Sequence, residues 1–380
     1  MELRQYREQI DAIDEKLVSL FAERMQTAAN IAAYKKEHGL PVLDAERERK
    51  KLVQISQMAP EGMDNYTVRL YSLLFELSRS HQSNLLGTAS NLPEEIRRTL
   101  ESTPQLFPEQ ATVACQGVEG AYAQQACEKL FKLPSVFYFS NFEAVFSAIE
   151  HGLCRYGIIP LENSTAGSVN KVYDLMQKHD FRIVRSTRLK IDHCLAARPN
   201  AKLANIREIY SHEQAIEQCS EFLQSLPNVT VIRCENTAIA AKRVFESGRD
   251  DVAALCSRSC LGLYTLKALA ENVQNQGNNY TRFICIGKQP EIFPGADRTS
   301  LRVTLPHRPG SLYHILSKLY ALGINLNKLE SRPIPDRDFE FMFYFDLDAS
   351  VYSPQFLQLM GELPECCEEF TYLGSYSEVI

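Results

Sequence analysis

The chain has 380 residues, of which 45% are hydrophobic and 23% charged, with a formal net charge of −6. This length exceeds a single ordinary core, so two or three domains are expected. The acidic balance argues against nucleic acid or an anionic membrane as a partner, and no apolar run approaches the roughly 20 residues that span a bilayer.

The beginning of the chain and its cysteines predict where the protein works. Residues 1–5 are charged and continue into a helical pattern, so no secretory signal is expected. The eleven cysteines are scattered and form no CxxC pair. We therefore expect reduced, buried thiols in a cytoplasmic protein.

The first segment predicts one long helix over residues 6–38, because apolar residues recur at helical spacing with no Gly or Pro before Gly39. Such a helix would be about 50 Å long. Shorter helices are predicted at 45–57, with Asp44 as N-cap, and at 65–83. Because these partners are too short to cover the first helix, dimerisation is expected.

Polar side chains share faces of these helices. Arg24 and Lys35 are eleven residues apart, or three turns, so they project from one face, with Cα atoms about 17 Å apart. Arg7 points about 100° away from Arg24 and could serve only a partner's site. Spacing alone favours a charged dimerisation module. The other polar positions form i,i+4 pairs: Asp44 with Glu48, and Ser78 with Gln82.

As a set, the Arg-Glu-Gln-Ile-Asp-Ala-Ile-Asp run at 7–14, the Ala-Glu-Arg at 22–24, the block at 44–48 and Ser78-x-x-x-Gln82 resemble the all-helical chorismate mutases. The resemblance covers about residues 1–85. It implies a chorismate site with eight members: Arg7, Arg24, Lys35, Asp44, Arg47, Glu48, Ser78 and Gln82.

The resemblance also implies their roles. The three arginines would bind the substrate carboxylates, with Arg7 supplied across a dimer. Lys35 and Gln82 would donate to the ether oxygen, Glu48 would accept the substrate hydroxyl, and the remaining two residues would support them. Because the rearrangement to prephenate is intramolecular, no nucleophile, metal or cofactor is required.

Residues 86–110 predict a linker, because Pro and Gly interrupt the apolar period, with one short helix at 93–101. Residues 111–287 then alternate between short strands and helices, which predicts an α/β domain. No GxGxxG follows its first strand, which excludes a dinucleotide site. The predicted strands lie at 111–115, 135–139, 155–160, 181–186, 193–197, 206–210, 229–232, 252–255 and 284–286.

Polar clusters lie at the ends of several of these strands, at 160–168, 192–195, 211–214 and 278–283. Each alone is more typical of a turn or a helix cap. Together, at strand ends of one domain, they indicate a cleft. A Thr hydroxyl can give a proton to a leaving oxygen, and an Arg can fix a carboxylate in a planar fork.

Four motifs make residues 111–287 resemble the prephenate dehydratases, in which two α/β lobes enclose the substrate. The resemblance implies that Thr281 assists hydroxyl departure and that Arg282 either binds a carboxylate or forms a structural pair. Glu162 and His193 are the nearest guesses for a partner that makes Thr281 acidic. Asn163, Ser164 and Thr165 would orient the substrate. The motifs lie at 116–122, 160–168, 192–195 and 279–283.

Residues 299–380 predict the element order βαββαβ, a ferredoxin-like α+β fold, with Ser311 capping the first helix. With Glu-Ser-Arg-Pro closing the second strand, they resemble the phenylalanine-sensing ACT domain, although Gly-Ser-Leu replaces the usual Gly-Ala-Leu. A dimerisation domain without ligand is the alternative. The implied phenylalanine-binding residues are Pro309, Gly310, Ser311, Leu312, Glu330, Ser331, Arg332 and Pro333.

The three resemblances, in this order, imply a multidomain, multifunctional enzyme of phenylalanine biosynthesis. It would be an isomerase that makes prephenate from chorismate and a lyase that makes phenylpyruvate from prephenate, inhibited by L-phenylalanine. It would be at least a homodimer. Two alternatives stay open: a preference for arogenate, and a non-catalytic two-lobed amino-acid sensor fused to a mutase.

Overall fold

A computed structural model describes residues 3–40, 44–86, 90–307, 309–335, 337 and 340–380. Within these ranges the α-helices are α1 (Leu3–Glu37), α2 (Ala45–Met58), α3 (Asp64–Leu86), α4 (Leu92–Ser102), α5 (Tyr122–Leu130), α6 (Phe142–Glu150), α7 (Asn170–Lys178), α8 (Glu213–Gln218), α9 (Ser220–Gln224), α10 (Thr237–Glu246), α11 (Ser259–Leu263), α12 (Ser311–Ala321) and α13 (Pro354–Glu362). None of them combines the length and the apolarity that a membrane crossing needs.

The strands are β1 (Gln110–Gln116), β2 (Leu133–Phe139), β3 (Tyr156–Asn163), β4 (Gly167–Ser168), β5 (Arg182–Lys190), β6 (Cys194–Ala197), β7 (Glu208–Ser211), β8 (Thr230–Arg233), β9 (Val252–Cys256), β10 (Lys267–Ala270), β11 (Tyr280–Gly287), β12 (Arg298–Thr304), β13 (Asn325–Pro333), β14 (Phe341–Asp348), β15 (Glu369–Tyr376) and β16 (Glu378–Val379). Every strand predicted from the sequence is present. The short strands β4, β10 and β16 were not anticipated.

The first three helices form the helical segment, and its long helix is confirmed. Gly39, with φ +63°, follows its end, and Asp44 caps α2 by accepting from the amide of Arg47 at 3.0 Å. Along α1 only Ala28 and Ala32 are buried. Ile10 is 57% exposed, and its neighbours on the same stripe are similarly open. The apolar stripe of α1 is thus left uncovered by the described part of this chain.

Two sheets build the middle domain, as the α/β pattern predicts. The first has the order β16-β5-β11-β3-β1-β2, with β4 on β3, and the second has the order β10-β6-β9-β7-β8. Strand β11 runs antiparallel to both neighbours and returns the chain from the second lobe to the first. The cleft between the lobes therefore borders the start of β11.

The C-terminal sheet has the order β13-β14-β12-β15, which confirms the ferredoxin-like prediction. Its two faces are covered by different parts of the chain. Phe345 packs with helices α12 and α13, and Ile96 of α4 joins that core, so the predicted linker helix belongs to it. Tyr344 packs on Tyr173 of the first lobe and donates to its carbonyl at 3.2 Å.

The chain's last strand strengthens this contact. β16 joins the first sheet beside β5, so the C-terminal segment completes a sheet of the middle domain. Thr187 donates to the carbonyl of Val379 at 2.7 Å. At Gly374, with φ +140°, a Cβ atom would collide with the carbonyl oxygen of Ile183 in β5. The C-terminal sheet and the first lobe are therefore packed backbone against backbone.

We expect Gly374→Ala to destabilise the protein by roughly 3 kcal/mol or more, because the methyl group meets immobile backbone in addition to backbone strain. Gly295→Ala is the matched control, since Gly295 also has positive φ, +85°, but has nothing within 4 Å of an added Cβ. That control should cost only roughly 1–2 kcal/mol. Chemical denaturation of both variants measures the difference, and equal losses would contradict the close packing.

Candidate active sites

The pairing of β3 with β11 organises the middle site. Thr281 lies opposite Asn163, and Arg282 lies opposite Glu162. Because neighbouring residues of a strand point to opposite faces, one pair faces the cleft and the other faces the C-terminal sheet. The motif that contains Thr281 and Arg282 is therefore divided between two surfaces.

The orientation of the Asn163 amide follows from the backbone. Its Oδ1 accepts from the N–H groups of Thr165, at 3.0 Å, and Ala166, at 2.9 Å, and these groups can only donate. Its Nδ2 must therefore be the group that lies 2.9 Å from Oγ1 of Thr281. Since the Thr281 oxygen accepts this bond, its own proton stays available for another acceptor.

Asn163 also begins a closed ring of hydrogen bonds that all run in one direction. Its Nδ2 donates to Asn279 Oδ1 at 2.7 Å, and Asn279 Nδ2 donates to Gln218 Oε1 at 3.1 Å. Gln218 Nε2 donates to Thr165 Oγ1 at 3.4 Å, and that hydroxyl donates to Asn163 Oδ1 at 2.7 Å. Gln218 belongs to α8 of the second lobe, so the ring joins the two lobes.

His193 completes the polar environment of this ring. Its Nε2 lies 3.1 Å from Gln218 Oε1, which the ring makes an acceptor, so Nε2 carries a proton. His193 is 3% exposed, and burial lowers its pKa, which favours the neutral imidazole. Its other nitrogen, Nδ1, faces the hydroxyl of Tyr122 at 3.5 Å.

The two guesses for an acidifying partner of Thr281 are wrong for this arrangement. His193 donates a hydrogen bond to Gln218, and Glu162 forms ion pairs with Arg282 and Lys328 on the other face of the sheet. Within the described residues, the side chain that hydrogen-bonds Thr281 is Asn163.

Arg282 occupies the second of its two predicted roles, a structural pair. It is 5% exposed and contacts the carboxylates of Glu162, at 3.2 Å, and Asp346 of the C-terminal sheet. Burial opposes its charge, but the two carboxylates hold its pKa above the ordinary value. Removing one partner of such a buried pair typically costs about 3–5 kcal/mol. The guanidinium therefore joins the middle domain to the C-terminal sheet.

A cavity of about 440 Å³ opens beside the ring, between the lobes. Ser164 lines it and also ties the loop to β11, because its hydroxyl accepts from the amide of Tyr280 at 2.9 Å. Gln214 and Asn279 also line it, and both lie in polar clusters that the sequence indicated. The rest of the lining was missed from the sequence, because the remainder of α8 and residues 274–276 offer no local pattern for it. The additional side chains are Glu217, Gln218, Gln274, Asn275 and Gln276.

In the helical segment, three of the predicted residues gather around α3. Arg24 donates to the hydroxyl of Ser78 and, at 3.1 Å, to the carbonyl of Leu74. Burial lowers the pKa of Arg24, although the nearby Glu48 opposes that change. Gln82, one turn after Ser78, is buried, and its carbonyl oxygen has no hydrogen-bond partner.

The other predicted mutase residues are less enclosed. Lys35 is half-buried, whereas Arg7, Asp44 and Arg47 are exposed. Asp44 already acts as the cap of α2. The sequence did not single out Arg79, whose guanidinium neutralises Glu48. In a single chain the eight predicted residues therefore make an incomplete, open site.

The two segments predicted to bind phenylalanine make different contacts within the chain. Glu330 accepts from Ser168 at 2.6 Å, and Arg332 donates to Asn170 at 3.0 Å, so both face the middle domain. A β-bulge between Leu326 and Lys328 turns these side chains toward it. No hydrogen bond or ion pair in the described ranges joins 309–312 to 330–333.

The prediction that Ser311 caps α12 is wrong. Gly310, with φ +89°, precedes the helix, and no side chain caps it. The hydroxyl of Ser311 donates instead to the carbonyl of Pro306 at 2.7 Å. It thus closes the turn that leads into the helix.

Three family models match the chain in the predicted order: Chorismate mutase type II over residues 6–83, Prephenate dehydratase over 113–291 and ACT domain over 299–353. The bifunctional chorismate mutase/prephenate dehydratase of Escherichia coli strain K12 is 32% identical over 380 residues, covering 97% of this chain and 95% of that protein. The chain belongs to this bifunctional family.

Solved structures share the fold of a large part of the chain. The prephenate dehydratase of Arthrobacter aurescens in complex with L-Phe has a TM-score of 0.64 and 26% identity, covering 70% of this chain and 90% of that one. GqqA, a quorum quenching acylase, has the same TM-score with 28% identity, covering 70% of this chain and 98% of that one. Because one fold can carry different chemistries, the cleft residues must carry the argument for dehydratase activity.

We expect Gln218→Glu to make prephenate dehydratase activity depend on pH. An ionised carboxylate cannot donate to Thr165, which breaks the ring, but a protonated carboxyl supplies one acceptor and one donor, as the amide does. Turnover should be about 100-fold below wild type in mild base and recover as the pH falls through the pKa of the new carboxyl.

Gln218→Met is the matched control, because it has similar volume and no hydrogen bonds, so its turnover should stay low at every pH. Chorismate mutase activity in the same protein reports correct folding. Steady-state rates across the pH range, divided by those of wild type, are the measurement. Parallel profiles for the two variants would contradict a role for the ring.

Proposed function

We propose that this chain rearranges chorismate to prephenate in its helical segment and converts prephenate to phenylpyruvate in its middle domain. The observation that carries the second activity is the Thr281 hydroxyl, whose oxygen accepts from Asn163 and whose proton is thereby left for a ligand in the cleft. Regulation by L-phenylalanine through the ACT domain completes the proposal.

For the mutase step, the helical residues would hold a dianion in its reactive conformer. Arg24 and Arg47 bind the carboxylates, together with Arg7 of a second chain. Lys35 and the amide of Gln82 donate to the ether oxygen, where negative charge grows in the transition state. Ser78 was predicted to support the site, and its hydrogen bond with Arg24 would let it do so by positioning that guanidinium.

Two further mutase residues have defined surroundings. Glu48 would accept the substrate hydroxyl, and its ion pair with Arg79 of α3 holds its carboxylate against the bundle. Asp44 supports the site indirectly by fixing the start of α2. The uncovered stripe of α1 supports at least a homodimer, because a second chain could bury it and bring its Arg7 to the site.

For the dehydratase step, Thr281 gives its proton to the departing hydroxyl as the C–O bond breaks. The electrons released by loss of the ring carboxylate as CO2 complete the aromatic ring, so water, CO2 and phenylpyruvate leave together. The Asn163 amide donates to the threonine oxygen and would stabilise it as its proton moves, which raises its acidity. Thr165 and Ser164 would shape the loop that orients the substrate.

The domain limits remain part of the proposal: 1–85 for the mutase, 86–110 for the linker, 111–287 for the dehydratase and 299–380 for the ACT domain. L-Phenylalanine would bind near 309–312 and 330–333. A cytoplasmic location agrees with the burial of nine of the eleven cysteines as free thiols. The L-Phe complex of the Arthrobacter dehydratase supports the choice of ligand.

The decisive experiment gives purified protein chorismate alone and follows prephenate and phenylpyruvate over time, with and without L-phenylalanine. Formation of phenylpyruvate at a rate that L-phenylalanine lowers supports all three assignments. Prephenate that accumulates unchanged would rule out the dehydratase step. Turnover rates with prephenate and with arogenate decide which of the two substrates the middle domain prefers.

We expect Thr281→Val to lower dehydratase turnover by about 100-fold or more while chorismate mutase activity stays within error. Valine keeps the volume of threonine and removes only the hydroxyl, so stability should change little. Lys35→Met is the reciprocal control and should abolish mutase turnover alone. Both activities are assayed separately on each purified variant. Full dehydratase activity in Thr281→Val would contradict the proton-donating role of Thr281, whereas a wild-type protein without dehydratase turnover would favour the sensor alternative.

A further inference from the structure

Strand β13 of the ACT domain contacts the β3–β4 hairpin, whose loop at residues 164–166 borders the dehydratase cleft. Glu162 and Ser168 lie opposite each other in β3 and β4, at the base of that hairpin. The ammonium of Lys328 donates to both, to Ser168 at 2.9 Å. Asn163 and Thr165, two members of the hydrogen-bonded ring, lie in the loop directly above this contact.

The direction of these hydrogen bonds is determined by their chemistry. Lys328 can only donate, so the Ser168 oxygen accepts from it. The single hydroxyl proton of Ser168 then goes to Glu330, whose Oε2 lies 2.6 Å away. The order is Lys328 to Ser168 to Glu330, and we call these three residues the hairpin clamp.

The clamp leaves little of Glu330 accessible. The Glu330 side chain is 22% exposed and that of Lys328 is 15% exposed. The Lys328 ammonium also lies 5.4 Å from the ring of Tyr173, beneath the hairpin. Both groups approach the same oxygen, Oε2, so a ligand ammonium that pairs with Oε2 of Glu330 must displace the hydroxyl of Ser168 or the ammonium of Lys328.

We propose that the hairpin clamp competes with L-phenylalanine for Glu330, so that ligand binding releases the β3–β4 hairpin and loosens Asn163 and Thr165. This inference rests on the proposed function, in which Glu330 belongs to the phenylalanine site. Ser168 and Lys328 are positioning residues in this scheme, because they act on the dehydratase site through the hairpin.

The competition has a consequence of defined sign. If the clamp holds the hairpin in its active position, the protein has a clamped state and a ligand-bound state. Stabilising either state then lowers the population of the other. Because such coupling is reciprocal, weakening the clamp must strengthen ligand binding by the same free energy. A residue with a merely structural role would weaken ligand binding or leave it unchanged.

The test compares Ser168→Ala with wild type, using L-phenylalanine binding by isothermal titration calorimetry and its half-inhibiting concentration for dehydratase turnover. Both constants should fall, about 5- to 10-fold, while chorismate mutase activity is unchanged. Ser135→Ala, on exposed β2, is the matched control and should change neither constant. Unchanged or weaker binding in Ser168→Ala overturns the inference.

Lys328→Met removes the clamp from the other side and should shift both constants in the same direction. Mutase activity in each variant shows that the chain has folded. If wild type binds L-phenylalanine and neither variant binds it more tightly, the hairpin clamp alone is overturned. Wild type that binds no L-phenylalanine overturns the regulatory part of the proposed function, and the clamp with it.

Discussion

The antiparallel pairing of β3 with β11 is the constraint on which the rest of the molecule depends. It places Asn163 beside Thr281 on one face of the sheet and Glu162 beside Arg282 on the other. Strand alternation makes these two pairs inseparable, because a shift by one residue would exchange the faces. The cleft and the ACT contact are therefore built from consecutive residues of the same two strands.

Both faces are closed by distant parts of the chain. On the cleft side, Gln218 from the second lobe completes a ring whose direction is set by two backbone amides of the 163–166 turn. On the opposite side, two residues of the ACT sheet extend the Glu162–Arg282 pair: Asp346 pairs with Arg282, and Lys328 pairs with Glu162. The same short segment thus contacts both the second lobe and the ACT sheet.

Local sequence predicted much of this fold, and for understandable reasons. The long helix and the buried strands follow from hydrophobic periodicity, and the site motifs could be found because Thr281 and Asn163 lie within compact polar runs at strand ends. Gln218 and Arg79 could not be found that way, because each lies in an ordinary helical stretch. Strand β16 is too short to show a period, and α4 joined the ACT core although its surroundings resembled a linker.

The sequence by itself determined the element order, the domain types and the side-chain chemistry available at each site. Only the tertiary structure decided which of those side chains meet. Arg282 pairs with Asp346, 64 residues away, and Glu330 faces Ser168, 162 residues away, instead of the turn that precedes α12. Local patterns carry propensity and periodicity, whereas hydrogen bonds and ion pairs between remote residues depend on sheet register and domain packing, which no short segment contains.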